Sequence, residues 1–251
     1  MNQGLFAAVA GPGSSVRNLF LEDVEIHAYS QAGALAGYTQ DVLIENCGMT
    51  GSVSVVNGAA GGLIGKAWSL TTIRRCFSLG SVNGNEYVGG LVGWIFDAGI
   101  SDSFSRADVE VESGVCGGLI GYADDNWVDT SFAAGRVTAL TGSGGLIGTK
   151  IAAPVVNDCY YDEDVSGQDD TGYGEPRSTS QMKAQSTFSG WDFVDVWAMN
   201  SRRNDGYPYL QWAEDLFEET GGSGGGCNAG LLNPLFLLMF VPLGLLFRKS
   251  R

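Results

Sequence analysis

Apolar and polar residues alternate in short runs over the first 160 residues, and glycines break the runs at regular intervals. Gly51-Ser-Val-Ser-Val55, Gly80-Ser-Val-Asn83, Ala107-Asp-Val-Glu-Val111 and Gly135-Arg-Val-Thr-Ala139 each have the period of two that marks a half-buried strand. A second run puts a branched apolar residue three positions before Cys or Ser. It reads Leu43-Ile-Glu-Asn-Cys47, Thr72-Ile-Arg-Arg-Cys76, Gly99-Ile-Ser-Asp-Ser103, Trp127-Val-Asp-Thr-Ser131 and Val155-Val-Asn-Asp-Cys159. Gly, Asn and Asp fall between the runs, where corners call for positive φ. The pattern predicts three short strands and about three turns per unit.

The unit repeats. Glycine-rich boxes read Gly33-Ala-Leu-Ala-Gly37, Gly61-Gly-Leu-Ile-Gly65, Gly89-Gly-Leu-Val-Gly93, Gly117-Gly-Leu-Ile-Gly121 and Gly144-Gly-Leu-Ile-Gly148, with starts 28, 28, 28 and 27 residues apart. A weaker copy, Gly4-Leu-Phe-Ala7, lies one period earlier. A fixed period in this range signals a solenoid in which each repeat is one coil. Helical repeats would need long windows of three-and-four spacing with few glycines, which are absent. A propeller blade needs about 40 residues. The expected fold is therefore all-β, a parallel β-solenoid of about five to six coils. Equivalent residues of stacked coils lie about 4.8 Å apart, so Leu35, Leu63, Leu91, Leu119 and Leu146 would form an inward aliphatic ladder. Cys47, Cys76, Ser103, Ser131 and Cys159 would form a second ladder of small residues.

The boxes, their period and the following Cys/Ser step resemble the GLUG repeat, named for its Gly-Leu-x-Gly core, over roughly residues 1–160. The resemblance implies a large secreted or surface protein of a bacterium, adhesin-like or attached to an immunoglobulin-cleaving metallopeptidase as a non-catalytic part. Residues 161–213 look like the usual sequel, with Tyr160-Tyr-Asp162, Thr179-Ser-Gln-Met182, Phe188-Ser-Gly-Trp-Asp-Phe193, Val196-Trp197 and Asp205-Gly-Tyr-Pro-Tyr-Leu210. The same segment reads from its residues as an aromatic-rich cap, because an open solenoid end exposes backbone edges and core. Residues 178–185 are expected as a short helix, and residues 191–199 alternate like a strand.

Residues 214–226 read as an acidic and Gly-rich linker. Residues 229–247 are almost wholly apolar, long enough for one C-terminal transmembrane helix, and Arg248, Lys249 and Arg251 form a basic membrane stop. The span's prolines are tolerated in membrane helices, and the basic end predicts a cytoplasmic C-terminus with the solenoid outside. Residues 227–251 are similar to bacterial C-terminal sorting signals, most of all to the Synergistetes type. That resemblance implies export, processing by a sorting protease around Gly226, Cys227 and Asn228, and a cell-surface or envelope location. The plain alternative is an uncleaved membrane anchor. Met1-Asn-Gln leads straight into repeat material without a basic or hydrophobic leader. The chain is thus expected either to be the C-terminal part of a longer exported one or to have a misplaced start.

A net charge of −14, with pI near 4.3, argues against nucleic acid as a partner, since no basic patch could neutralise phosphates. The five cysteines do not pair neatly. Cys47 and Cys76 could reach each other in neighbouring coils, but small buried hydrophobes interchangeable with Ser account better for the ladder. No CxxC supports a zinc or redox site, and no cofactor is implied. A single histidine, His27, leaves no room for a His-based triad or a multi-histidine metal site. The acids are Asp102 with Asp108, Asp124-Asp125 with Asp129, Asp162-Glu-Asp164 and Asp169-Asp170. They would suit a glycosidase or polysaccharide lyase on a β-helix, or calcium at Asp162, Asp164, Asp169 and Asp170. They fall in presumed turns, where Asp serves its own backbone. Trp68, Trp94 and Trp127 near the box exits could stack on sugars, although core or corner packing is expected for at least two of them. A non-catalytic structural or adhesive surface protein is the favoured reading, with a surface glycan or protein as ligand. A carbohydrate-active enzyme on the same scaffold is the alternative.

Overall fold

A computed structural model describes residues 2–140, 142–151, 154–170 and 173–217. The repeats form a stack of parallel strand layers. In one column, Phe6, Ala36, Ile64, Val92, Ile120 and Ile147 follow one another in register, which makes six layers and about five turns. Fourteen strands join one continuous sheet, and Ala59–Gly61, Tyr87–Gly89, Val115–Gly117 and Ser143–Gly144 form a second of four strands. The first two layers are single strands that bend through their corners, Phe6–Ala28 and Ala36–Val55. The third layer divides into Ala59–Gly61, Ile64–Trp68, Thr72–Arg74 and Phe77–Gly84. A repeat thus carries four strand segments rather than three, because the glycine box is itself a corner with a strand on each side.

Close approach between backbones explains the box. A Cβ on Gly93 would sit 2.7 Å from the Gly65 carbonyl oxygen and 2.8 Å from the Ala60 backbone. On Gly89 it would collide with the Val92 carbonyl oxygen and lie 2.5 Å from the Gly121 nitrogen. No side chain fits between coils there. The box backbones are bonded along the stack instead. Leu63, Leu91 and Leu119 donate their N–H groups to the carbonyls of Leu91, Leu119 and Leu146 at 3.0, 2.9 and 2.9 Å. The five box leucines are fully buried. Ile44, Ile73, Ile100 and Val128 form a parallel column, and Val53, Val82, Val109 and Val137 another.

The corner before each Cys/Ser position is a left-handed residue. Asn46, Arg75, Asp102, Thr130 and Asp158 all have φ between 42° and 54°, and Asn18 takes the same conformation before Leu19. That turn aims the next side chain back at the carbonyl two residues earlier. Cys47, Cys76, Ser103, Ser131 and Cys159 donate to the carbonyls of Glu45, Arg74, Ser101, Asp129 and Asn157 at 3.3, 3.2, 2.7, 2.7 and 3.1 Å. Ser103 Oγ also accepts from the Cys76 N–H at 3.0 Å, and Ser131 Oγ from the Ser103 N–H at 3.2 Å. Cys and Ser are interchangeable here because either can donate from a small buried atom.

The aromatic-rich segment does two jobs. Glu175–Arg177 pairs in parallel with Tyr160–Asp162, and Asp170 Oδ1 accepts from the Gly145 N–H at 2.6 Å, so residues 163–177 close the last coil. The chain then turns back along one flank. A ladder of outward rings, Phe77, Phe104, Phe132 and Tyr160, needs cover there. Met182, Phe188, Trp191, Trp197, Tyr207, Leu210 and Phe217 supply it. Arg106 fixes the overlay with bonds to Asn204 (2.7 Å) and Asp205 (2.6 Å), and Trp212 Nε1 donates to the Arg75 carbonyl at 2.9 Å. Ser178 starts the short helix Thr179–Met182 with a capping box. Of the strand expected over residues 191–199, Trp197–Ala198 forms, paired antiparallel with Tyr209–Leu210. The residues before it turn instead, with Asp192 accepting from the N–H groups of Val194 and Asp195 at 2.9 Å each.

The expected C-terminal transmembrane helix is a point of correction. Among the described residues no helix is long and apolar enough to cross a membrane. The α-helices found, Glu163–Ser166 and Thr179–Met182, are single capped turns. Residues 229–247 lie outside the described residues, as do Gly226, Cys227, Asn228, Arg248, Lys249 and Arg251.

Two stability predictions follow from this packing. Leu91→Ala is expected to cost about 2–5 kcal/mol as a truncated core leucine, and Gly89→Ala about 3 kcal/mol or more, because the clash is with backbone. Urea unfolding measures both, and a Gly89→Ala protein as stable as the parent would contradict the close-approach account. At the corner, Ser103→Ala should cost about 1–3 kcal/mol by orphaning the Cys76 N–H and removing one of the two donors to the Ser101 carbonyl. Ser103→Cys should lose less than about 1 kcal/mol. Thermal melts giving the opposite order would refute the ladder.

Candidate functional site: an exposed aromatic face

Parallel stacking turns each repeat position into a column on the surface. The residue directly after each box points outward, and the column runs Tyr38, Lys66, Trp94, Tyr122, Thr149. Two residues farther on, a second outward column runs Gln40, Trp68, Phe96, Asp124. Tyr87, from the four-stranded sheet, leans on the first. Together they make an aromatic face across the middle coils.

The rings pack edge and face. Trp68 stacks on Phe96 with centroids 4.2 Å apart, and Trp94 meets Trp68 edge-on at 5.8 Å. Tyr87 lies 5.4 Å from Trp94 and 4.8 Å from Tyr122. Lys66 sits between the two indoles, its Nζ 4.1 Å from the Trp68 ring centroid and 3.6 Å from that of Trp94. These are cation–π distances. Burial lowers the Lys66 pKa, since the ammonium loses water. Among the described residues Lys66 forms no carboxylate ion pair. The rim is polar: Tyr38 donates to Gln40 at 2.8 Å and Ser69 to Asp97 at 3.0 Å. All of these rings are half-buried, so their faces are shared between neighbours and solvent.

The other sequence candidates do not converge. His27 is exposed and lies 3.2 Å from Glu25. Asp102 accepts from the Thr130 hydroxyl at 2.7 Å, and Asp108 from the Arg136 N–H at 2.9 Å. Asp125 is a left-handed corner. Burial, and then Asp102 and Asp158 nearby, raise the Asp129 pKa. Asp162 is fully buried as the cap of Glu163–Ser166, accepting from Val165 N, Thr179 Oγ1 and Tyr207 Oη at 3.1, 2.9 and 2.6 Å. Among the described residues no three His, Cys, Asp or Glu side chains are grouped to hold a metal. A cavity of about 560 Å³ lies at the first coil, lined by Gln3, Leu5, Leu21, Glu25 and His27. Of the three flagged tryptophans, Trp68 and Trp94 belong to the aromatic face. Trp127, 41% exposed, lies over Gly99, where a Cβ would meet its ring.

Lys66, Tyr38, Phe96, Tyr87 and Tyr122 escaped the sequence reading. The signal was present, because four of the five residues following a box are Tyr, Lys, Trp and Tyr. It becomes visible only when the repeats are read as columns.

The thiols are structural. Cys47, Cys76, Cys116 and Cys159 are buried and unbridged. Burial pushes Cys116 and Cys159 up to about 12, far from the thiolate needed for reaction. Native protein at pH 8 should leave these four thiols unalkylated by iodoacetamide, while unfolded protein labels them all. Peptide mass mapping distinguishes the two, and rapid native labelling at Cys116 or Cys159 would contradict their placement.

No family model matches the chain. A relative in Evansella cellulosilytica, "Putative Gly-rich membrane protein", is 42% identical over 119 residues, which is 44% of this chain and 13% of the relative. A "Halomucin" of Haloquadratum walsbyi is 30% identical over 155 residues, 50% of this chain and 2% of that protein. The matched regions are thus a small part of these relatives. Among solved structures, the crystal structure of a "putative immunoglobulin A1 protease" from Bacteroides ovatus superposes with a TM-score of 0.57 at 19% identity, over 82% of this chain and 77% of the other. At that identity the likeness is one of fold.

Proposed function

We propose that this chain is a non-catalytic GLUG-type repeat segment of a cell-surface protein, in which the solenoid is both a stiff spacer and an adhesive surface. The aromatic face carries the reading. It is a broad, outward set of rings that no other described residue covers, on an otherwise regular scaffold, and binding surfaces are built that way. The acids that an enzyme would use are engaged elsewhere, as corners, caps and backbone acceptors. The relatives' names support the setting, one a Gly-rich membrane protein and the other a halomucin. The charge of −14 suits an exported protein that must stay soluble and avoid nonspecific contact.

A sorting protease that acts around Gly226, Cys227 and Asn228 is part of the same proposal. It rests on the sequence of the tail, with its Gly-rich spacer ahead of Cys227 and basic end at Arg248, Lys249 and Arg251.

The test uses the native host. Brief trypsin treatment of intact cells should release solenoid peptides, and the mature chain should end near residues 226–228 by mass spectrometry. Recovery only from the cytosol would overturn the surface assignment. Recovery of surface chain still carrying Phe247 and Arg251 would overturn the processing step.

A further inference from the structure

The two flanks of the solenoid treat their aromatic columns in opposite ways. On one flank the Phe77, Phe104, Phe132 and Tyr160 ladder is covered by residues 178–217. On the other, Tyr38, Trp68, Trp94, Phe96 and Tyr122 stand half-buried with no segment of the described chain over them. Rings facing water without cover cost solubility, and nothing in the coil requires them there. The equivalent positions in the first and last layers are Ala8 and Thr149.

Charge selects the occupant. The face holds one cation, Lys66, wedged between Trp68 and Trp94 and lacking a carboxylate partner, in a protein whose other exposed charge is mostly acidic. The Asp124 carboxylate of the second column lies two layers away, beyond Phe96. The Lys66 end of the face is bordered by Tyr38 and Gln40, whose hydroxyl and amide can exchange hydrogen bonds with sugar hydroxyls. Flat indoles stack on the C–H faces of a pyranose, and an ammonium in a desolvated frame takes a carboxylate as a charge-assisted bond.

We infer that this face binds a glycan bearing carboxylate sugars, with a pyranose against the exposed surface of the Trp68–Trp94 pair and its carboxylate on Lys66. A protein partner would need a complementary apolar patch and would not require the cation. The inference deepens the adhesive reading given above and rests on it for its biological setting.

Titration calorimetry with the full chain tests it, using hexagalacturonate and, as the neutral control, cellohexaose. Hexagalacturonate should bind at least tenfold more tightly than cellohexaose. Lys66→Met should weaken hexagalacturonate at least tenfold while leaving the melting temperature close to the parent's, because the methionine keeps the stem between the indoles. Trp68→Ala should abolish binding. If that variant unfolds, Trp68→Phe, which keeps a smaller ring, should show an intermediate loss. Equal affinity for the two oligosaccharides, no binding of hexagalacturonate, or full binding by Lys66→Met would each overturn the inference. Surface release by trypsin reads the cellular location separately, so a glycan result of either sign leaves that outcome distinguishable.

Discussion

The spacing between coils governs this structure. Parallel strands stack about 4.8 Å apart, and at the box corner the backbones of neighbouring coils must approach without any side chain between them. Gly89 and Gly93 meet that demand, with the backbones of Val92, Gly65, Ala60 and Gly121 where a Cβ would be. Once the box is fixed, the leucine inside it has a single direction to point, and the leucines of successive coils become a buried column. The opposite corner obeys the same spacing by other means. A left-handed residue turns the chain, and a small donor on the next residue ties the turn to its own strand.

Regular stacking also converts any outward position into a line along the axis. A line of small or polar residues is ordinary surface. Where it is aromatic its exposure costs solubility, and the two flanks treat that differently. Phe77, Phe104 and Phe132 stack nearly face to face at 5.4 and 4.9 Å and are then sealed by the returning segment through Arg106, Trp197 and Phe217. Among the described residues the Trp68–Trp94 face has no such cover, and Lys66 sits between its two indoles. The same physics of packed rings thus gives a sealed seam on one side and, among the described residues, an exposed aromatic face on the other.

Acidic residues gather at the corners of the coils. A regular coil presents near-identical surroundings at each repeat, so convergent groups must come from loops, and the loops here are short corners. Asp102, Asp108, Asp162 and Asp170 are engaged in local bonds. Asp162 shows this most fully, since it receives three donors from the cap and its neighbours while carrying no solvent exposure.

The repeats were legible from the sequence because a solenoid writes its geometry into a period. The 28-residue spacing, the alternation of the strands, the buried leucines and the exchange of Cys with Ser all follow from local chain chemistry repeated in register. The short helix after Ser178 was legible for a similar reason, its capping box being contained in four consecutive residues. The strand expected at residues 191–199 was not, because the Asp192 side chain competes for the backbone and forms a turn. The transmembrane helix was read from hydropathy alone, and the described fold contains none. What only the tertiary structure decided is which residues of different coils become neighbours across a surface. Lys66 is 28 residues from both Tyr38 and Trp94 in the chain, yet beside them in the sheet. Phe77 and Phe217 are 140 residues apart and in contact at 5.5 Å. Periodicity fixes each coil by local rules, but the direction in which the last segment folds back depends on the summed burial of rings contributed by four coils, and no single stretch of sequence contains that sum.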